Sequence, residues 1–421
     1  MNDRAFSRLA PFIQEYIYTH AWTELRPVQV EACRVIFDTE AHLLIAAGTA
    51  SGKTEAAFLP VLTLLYENPS SSVGVLYIGP IKALINDQFE RLNDLLKEAD
   101  IPVWAWHGDI SQSRKNKLVK KPEGVLQITP ESLESLLINK NTELIRLFGD
   151  LRFIIIDEIH AFMGSERGCQ ILCQLARLSR YTQNQPRRIG LSATLGDYSL
   201  AEEWLRSGTE IPVITPEIKG GQRKVQLSLE HFYLTEEEPS LPPPDKGDGI
   251  RKQSASSPYY RHIFENSKSR KCLIFANNRA EIESVIANLR QIAEAERLPD
   301  IYHVHHGSIS ASLREEAEKA MRDSSPAVTA ATVTLELGID IGQLERVIQL
   351  EAPLSVASFL QRLGRSGRRG TAADMQFVCA EDELSGEESL PEQIPWQLLQ
   401  AIAIIQLYLE ERWIEPIKPL Q

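Results

Sequence analysis

His42-Leu-Leu-Ile-Ala46 runs straight into Ala47-Gly48-Thr49-Ala50-Ser51-Gly52-Lys53-Thr54, and an apolar helical pattern follows from Lys53. A short aliphatic strand, a loop of small residues and a helix, in that order, bring backbone N–H groups and a helix N-terminus together on an anion. Lys53 is expected to reach the β- and γ-phosphates of a nucleotide, and the Thr54 hydroxyl to sit on Mg²⁺. Ala47 stands where the usual pattern has its first glycine, but no catalytic group is lost by that change. The competing reading is a tight strand–helix turn whose lysine is incidental.

The same alternation continues outward from this stretch. Strand-like runs at 42–46, 74–78, 125–128, 153–156 and 188–191 are separated by helical patterns following Lys53, Lys82, Glu131 and Gly168. A second series, at 225–232, 272–275, 302–304, 327–330, 346–350 and 375–379, is interleaved with helices from about Arg279, Leu313 and Ser355. Strands alternating with helices predict parallel sheets covered by helices, an α/β fold. At 421 residues, two or three domains are expected. Residues 211–221 hold two prolines and a Gly-Gly pair and read as a hinge. The expected division is therefore 1–213, 214–380 and a helical extension at 381–421. Residues 236–258 (with EEEPSLPPPDKGDG at their start) offer nothing to bury and are expected as a mobile insertion in the second domain. An apolar-striped helix is expected over 396–412.

Composition narrows the function classes. The formal net charge of −12 argues against a protein that coats nucleic acid through bulk charge, yet leaves room for a local basic groove. Arg114, Lys115, Lys117, Lys120 and Lys121 form one basic cluster, and Arg362, Arg365, Arg368 and Arg369 another. No apolar run approaches the roughly 18 residues of a membrane span. The N-terminus carries no signal-peptide pattern. Five scattered cysteines suit a reducing cytosol, so a cytoplasmic location with no membrane partner is expected. Cys169 and Cys173, four apart in a helical pattern, are expected as buried packing. The adjacent His305 and His306 cannot easily face one ion and are not expected as metal ligands.

Phe153-Ile-Ile-Ile-Asp157-Glu158 supplies the half that a phosphate loop needs. One carboxylate at the end of an apolar strand is placed for a metal, the other for water. Asp157 is expected to hold Mg²⁺ and Glu158 to orient and deprotonate the nucleophile.

Asp157-Glu158-Ile159-His160 resembles the DExH box of superfamily-two helicases, and other short motifs stand in that family's order. Leu25-Arg-Pro-Val-Gln29 resembles the adenine-reading Q motif; Gly79-Pro-Ile-Lys-Ala-Leu84 resembles motif Ia. Thr129-Pro-Glu-Ser-Leu133 is similar to motif Ib and Ser192-Ala-Thr194 to motif III, with His107-Gly-Asp109 a turn facing nucleic acid. Phe275-Ala-Asn-Asn-Arg279 resembles motif IV, followed by His305-His-Gly-Ser308. Residues 331–340 resemble motif V, and Gln361-Arg-Leu-Gly-Arg-Ser-Gly-Arg368 motif VI. The wording of the last three is most similar to the Lhr (large helicase-related) group. That group carries a winged helix and further domains after its two motor domains, so a truncated chain is expected, its last residues leading into the winged helix.

The resemblance implies two tandem RecA-like domains with an ATP cleft between them. It places Gln29, Ala47, Gly48, Thr49, Ala50, Ser51, Gly52, Lys53, Thr54, Gly338 and Asp340 on ATP. Gln361 would contact the γ-phosphate or its water, while Arg365 and Arg368 would reach across from the second domain. Pro80, Lys82, His107, Thr129, Arg279, Gly307, Ser308, Thr332 and Thr334 would follow the backbone of one strand, without reading its sequence. His160 with Ser192 and Thr194 would couple the two sites by hydrogen bonds. The expected activity is that of an ATP-dependent helicase or translocase. It would be a monomeric motor on single-stranded or partly duplex DNA, with RNA as the alternative, travelling 3′-to-5′. Two other readings stay open. One is a translocase that separates no strands; the other is an ATP-responsive clamp with poor turnover.

Overall fold

The computed structural model describes residues 4–48, 51–96, 99–218, 224–234, 257–323, 326–332, 335–336, 341–342, 344–367, 372–384 and 386–420. The chain forms two compact units, Met1–Gly221 with Glu415–Gln421, and Gln222–Ile414. No described helix is long and apolar enough to cross a membrane.

The first unit holds a seven-stranded sheet. Its strands are β1 (His42–Ala46), β2 (Val73–Ile78), β3 (Val103–Trp106), β4 (Gly124–Ile128), β5 (Phe153–Ile156), β6 (Arg187–Ser192) and β7 (Val213–Ile214). They run in the order β3-β4-β2-β5-β6-β1-β7, and every described pairing is parallel. Strand side chains alternate between faces, so an aliphatic run buried on both sides feeds two cores. Leu43, Ile45, Val75, Tyr77 and Ile155 enter one core; Leu44, Leu76, Ile78, Ile154 and Ile156 enter the other.

The second unit repeats the plan with six strands: β8 (Val225–Leu234), β9 (Lys271–Phe275), β10 (Tyr302–His305), β11 (Ala327–Ala331), β12 (Arg346–Leu350) and β13 (Ala373–Asp382). Their order is β10-β11-β9-β12-β13-β8, again with all described pairings parallel. In each unit the motif loops therefore leave the carboxyl edge of one sheet. That is where open parallel sheets bind ligands.

Several expectations change. Strands β3 and β7 are additions. β3 is a four-residue edge strand, and β7 lies inside the expected hinge, where it pairs with β1 through His42↔Val213 and Leu43↔Ile214. That pairing carries the first unit to Gly221 rather than residue 213. The expected insertion loses its last residues, because the Ser257 hydroxyl caps a helix that Pro258 begins; residues 235–256 lie outside the described set. Cys173 is exposed and Cys169 half-buried, so neither is a core residue. Their helix, Glu166–Leu178, turns Ile171, Leu175 and Leu178 inward instead. The C-terminal helix ends at Leu409, and the segment after Ile414 runs extended against the first unit.

Candidate active site and nucleic-acid interface

The phosphate loop leaves β1 and closes on Gly52, whose φ of +87° lies in the left-handed region that glycine adopts without strain. A Cβ there would lie 3.0 Å from Gln29 Nε2 and 3.2 Å from Arg26 Cδ, so Gln29 sits directly against the loop. Gln29 is buried, and its Oε1 accepts the Arg26 N–H at 2.9 Å, which fixes the start of the helix Pro27–Asp38. Lys53 is also buried. Its ammonium donates to the Ala47 and Gly48 carbonyls at 2.8 and 3.2 Å, folded over the loop it is expected to serve. Thr54 stands beside it in the first turn of the helix Lys53–Glu67, half-buried, and Ser51 precedes them in the loop. Thr49 and Ala50 lie outside the described residues.

Two strands away in the sheet, β5 delivers the acid pair. Asp157 is 4% exposed, with one carboxylate oxygen accepting the Tyr77 hydroxyl at 2.5 Å and the other the Glu158 N–H at 2.8 Å. Burial, and then the neighbouring Glu158 charge, push the Asp157 carboxyl up to about 7, against the pull of Tyr77 and Lys53. A carboxylate this costly to ionise alone is stabilised by a cation. The hard oxygen donors of Asp157 and Thr54 suit Mg²⁺, which retains several of its own waters.

Glu158 adopts φ +51°, a left-handed conformation that costs a non-glycine residue about 1–3 kcal/mol. The turn it makes starts the short helix His160–Met163. His160 Nδ1 lies 3.2 Å from Ser192 Oγ and accepts the Ala193 N–H at 3.3 Å, with Glu158 Oε2 at 3.5 Å. The acid turn and the Ser192-Ala-Thr194 loop are thereby joined through one imidazole.

The strand-contact candidates of the first unit leave the same edge on β2, β3 and β4. Arg167 clips two of their loops together, donating to the Pro80 carbonyl and to Glu131 Oε1, each at 2.7 Å. Lys82 is half exposed and pairs with Asp109 at 3.0 Å. An exposed pair of this kind is worth little and exchanges readily for a phosphate. His107 and Thr129 also make contacts within the protein. His107 is buried, with Nε2 2.8 Å from Asn86 Oδ1, and burial holds its pKa down. Thr129 Oγ1 caps the helix Pro130–Asn139 by accepting the Ser132 N–H at 3.3 Å. Through these bonds the two side chains shape the loops.

In the second unit, Asn278 caps the helix Arg279–Ala295, and Arg279 donates to the Ser308 hydroxyl, which joins the loops after β9 and β10. Exposed Gly307 has open space where a Cβ would stand. His306 Nδ1 accepts the Ser308 N–H at 3.3 Å, and its Nε2 faces Glu283 at 3.0 Å. Thr332 follows β11 directly, half-buried. Thr334, Gly338, Asp340 and Arg368 lie outside the described residues.

Gln361 is buried on the helix Val356–Leu363. Arg365, expected to reach the γ-phosphate, is buried and donates to the Glu336 carbonyl at 2.6 Å. Arg362 donates to Glu336 Oε1 and Gln349 Oε1, both at 2.8 Å. The buried Glu336 carboxylate takes Arg362 as its cationic donor, and Arg365 holds the backbone carbonyl of the same residue.

Sequence reasoning missed Tyr77, Arg167, Glu336, Gln349 and Arg362. Two carried a signal. A tyrosine within an aliphatic strand needs a partner for its hydroxyl, and an acid flanked by Leu335 and Leu337 needs one for its charge.

Residues 26–202 match the DEAD/DEAH box helicase family and residues 257–370 the helicase conserved C-terminal domain. The chain is 30% identical over 402 residues to the ATP-dependent helicase Lhr-Core of Saccharolobus solfataricus, covering 91% of this chain and 44% of that protein. It is 30% identical over 403 residues to the Lhr helicase/uracil glycosylase of Escherichia coli, covering 84% and 26%. The structure of Mycobacterium smegmatis helicase Lhr bound to ssDNA and AMP-PNP matches with a TM-score of 0.77 at 27% identity, covering 99% of this chain and 51% of that one. The chain thus spans about half, or less, of the length of the relatives it matches.

Proposed function

We propose, because the chain belongs to the superfamily-two DEAD/DEAH-box helicases of the Lhr type, that it is the motor part of an ATP-dependent nucleic-acid helicase. The observation that carries this reading is the convergence on one sheet edge of Lys53 and its loop with the buried Asp157–Glu158 pair. Phosphoryl transfer needs charge neutralised around the γ-phosphate more than it needs covalent chemistry.

Backbone N–H groups of residues 47–54 and the Lys53 ammonium bind the β- and γ-phosphates. Thr54 and Asp157 would hold Mg²⁺, which would neutralise phosphate charge there. Glu158 orients a water and takes its proton as the water oxygen bonds to the γ-phosphorus. The bond from that phosphorus to the β–γ bridging oxygen breaks, and ADP leaves with the electron pair. Gln361 and Arg368 supply the polar contacts from motif VI, and Arg365 holds that helix end in place through Glu336.

The sugar-phosphate backbone of one strand is gripped by Lys82, Pro80, Arg279, Gly307, Ser308, Thr332 and Thr334, with His107 and Thr129 shaping the loops. His160 relays the state of the acid turn to Ser192 and Thr194. The substrate proposed is single-stranded DNA, the polymer bound by the Mycobacterium smegmatis relative, with 3′-to-5′ travel. ATP turnover measured with no polymer, single-stranded DNA and single-stranded RNA in parallel tests the reading. Strong stimulation by DNA, lost in Lys53→Ala together with nucleotide binding, is the expected result. Turnover indifferent to either polymer would overturn it.

A further inference from the structure

We infer that the extended segment Glu415–Leu420 is a positioning strap that holds the acid–histidine turn of the first unit, an inference that rests on the helicase reading above. Its burial alternates: Glu415, Ile417 and Pro419 are half-buried, whereas Pro416, Lys418 and Leu420 are exposed. That period of two marks an extended chain lying with one face on a surface. Ile417 packs on the core that contains Ile159, Phe162 and Met163. The Leu420 N–H donates to the Met163 carbonyl at 3.0 Å, and the Leu420 carbonyl accepts the Cys169 thiol at 3.4 Å. The strap passes over Gly164, where an added Cβ would stand in ordinary contact with Ile417 Cγ2 at 3.4 Å and the Lys418 carbonyl at 3.6 Å.

The target of these contacts gives them meaning. The helix His160–Met163 has four residues, too few to hold itself by propagation, and its terminal carbonyls have no partner within the helix. The strap satisfies the carbonyl of Met163 and packs beside its turn. The other end of the same helix is His160, which meets Ala193 and Ser192 and lies beside Glu158. A one-turn helix propped at one end holds the coupling imidazole at the other. Pro416 and Pro419 restrict the free conformations of the segment and so reduce the entropy lost on docking.

Cys169 reports docking in the full chain. With Cys173→Ser as background, the remaining cysteines Cys33, Cys272 and Cys379 are buried. Maleimide labelling of Cys169, and ATP turnover with and without single-stranded DNA, are compared for that background, Ile417→Asp, Ile417→Val and Leu420→Pro. Leu420→Pro removes only an N–H on an exposed residue and so tests the strap without burdening the core.

Ile417→Asp and Leu420→Pro should raise labelling roughly tenfold, the scale of a lost hydrogen bond and its packing. The ratio of stimulated to basal turnover should fall about ten- to a hundredfold, the effect of small displacements at a reacting centre. Nucleotide affinity should stay within about twofold, because Lys53 and its loop are untouched. Ile417→Val should restore both readouts. Unchanged labelling, or faster labelling with full stimulation, overturns the strap. A background chain that DNA does not stimulate instead refutes the helicase reading on which the strap rests.

Discussion

Tyr77→Phe is the most direct test of the metal-binding carboxylate. The substitution keeps the ring, and with it the packing of β2, while deleting the hydroxyl that donates to Asp157 Oδ2. A hydrogen bond to a charged group contributes about 1.5–3 kcal/mol, and 1.36 kcal/mol corresponds to one pKa unit. Asp157 titrates near 7. Losing a bond that favours its ionised form therefore pushes it further up, lowering the ratio of ionised to protonated carboxyl by about 10- to 100-fold. At pH 7 the ionised fraction drops from about one half to between a tenth and a hundredth, so Mg²⁺ affinity should weaken by about 5- to 50-fold. The assay is free Mg²⁺ titrated against ATP turnover at saturating nucleotide, from pH 6 to pH 9. The defect should fade at the alkaline end, where both proteins hold an ionised Asp157. Equal Mg²⁺ requirements at pH 7 would refute the assignment of Asp157 as the metal ligand and of Tyr77 as its support.

Three further outcomes are expected. Glu158→Gln removes the base while keeping the shape, so turnover should fall by roughly 10²–10⁴-fold while the ATP complex holds single strands tightly; gel-shift titration with ATP and ADP checks it. Arg368→Ala should leave ATP affinity near normal but abolish DNA stimulation of turnover, costing about 10³–10⁵ in rate, and normal stimulation would remove this arginine from the mechanism. Without nucleotide and Mg²⁺, stability should decline as pH rises from about 4 to 7, because the folded Asp157 holds its proton more tightly than the unfolded chain does. Glu281, pushed up to about 8 by burial and Glu351, adds the same slope, so Glu281→Gln should flatten the melting-temperature profile measured across that range.

Most of the first unit was legible because its strands are buried on both faces. A run such as Phe153-Ile-Ile-Ile156 has no reading as a solvated helix, and its closing acids had to stand at the sheet edge. β3 and β7 escaped for the opposite reason. β3 is half-buried over Val103–Ala105, and β7 has two residues, so neither presents a pattern long enough to read without its partner. Side-chain fate was harder to read than position. Thr129 and His107 were placed correctly at the edge, yet one caps a helix and the other is buried against Asn86. A loop motif does not distinguish a side chain that meets a ligand from one that shapes the loop. Arg365 read as either a finger or part of a solvated basic face. What decides between those readings is Glu336, nearly thirty residues away, through a contact only the fold reveals.

The strand order of the first sheet also has a temporal side. β1, which carries the phosphate loop, pairs with β6 and β7, and both are encoded well over a hundred residues later. At about 5–20 residues synthesised per second, the nascent His42–Ala46 strand waits roughly 10–30 s for its neighbours. During that interval an apolar edge is open to pairing with other chains, and long-range parallel pairing is slow even once the partners exist. Nucleotide-binding competence is therefore among the last properties this unit acquires as it folds. The same connectivity that brings six motif loops to one edge makes the newborn chain depend on protection until β7 closes the sheet.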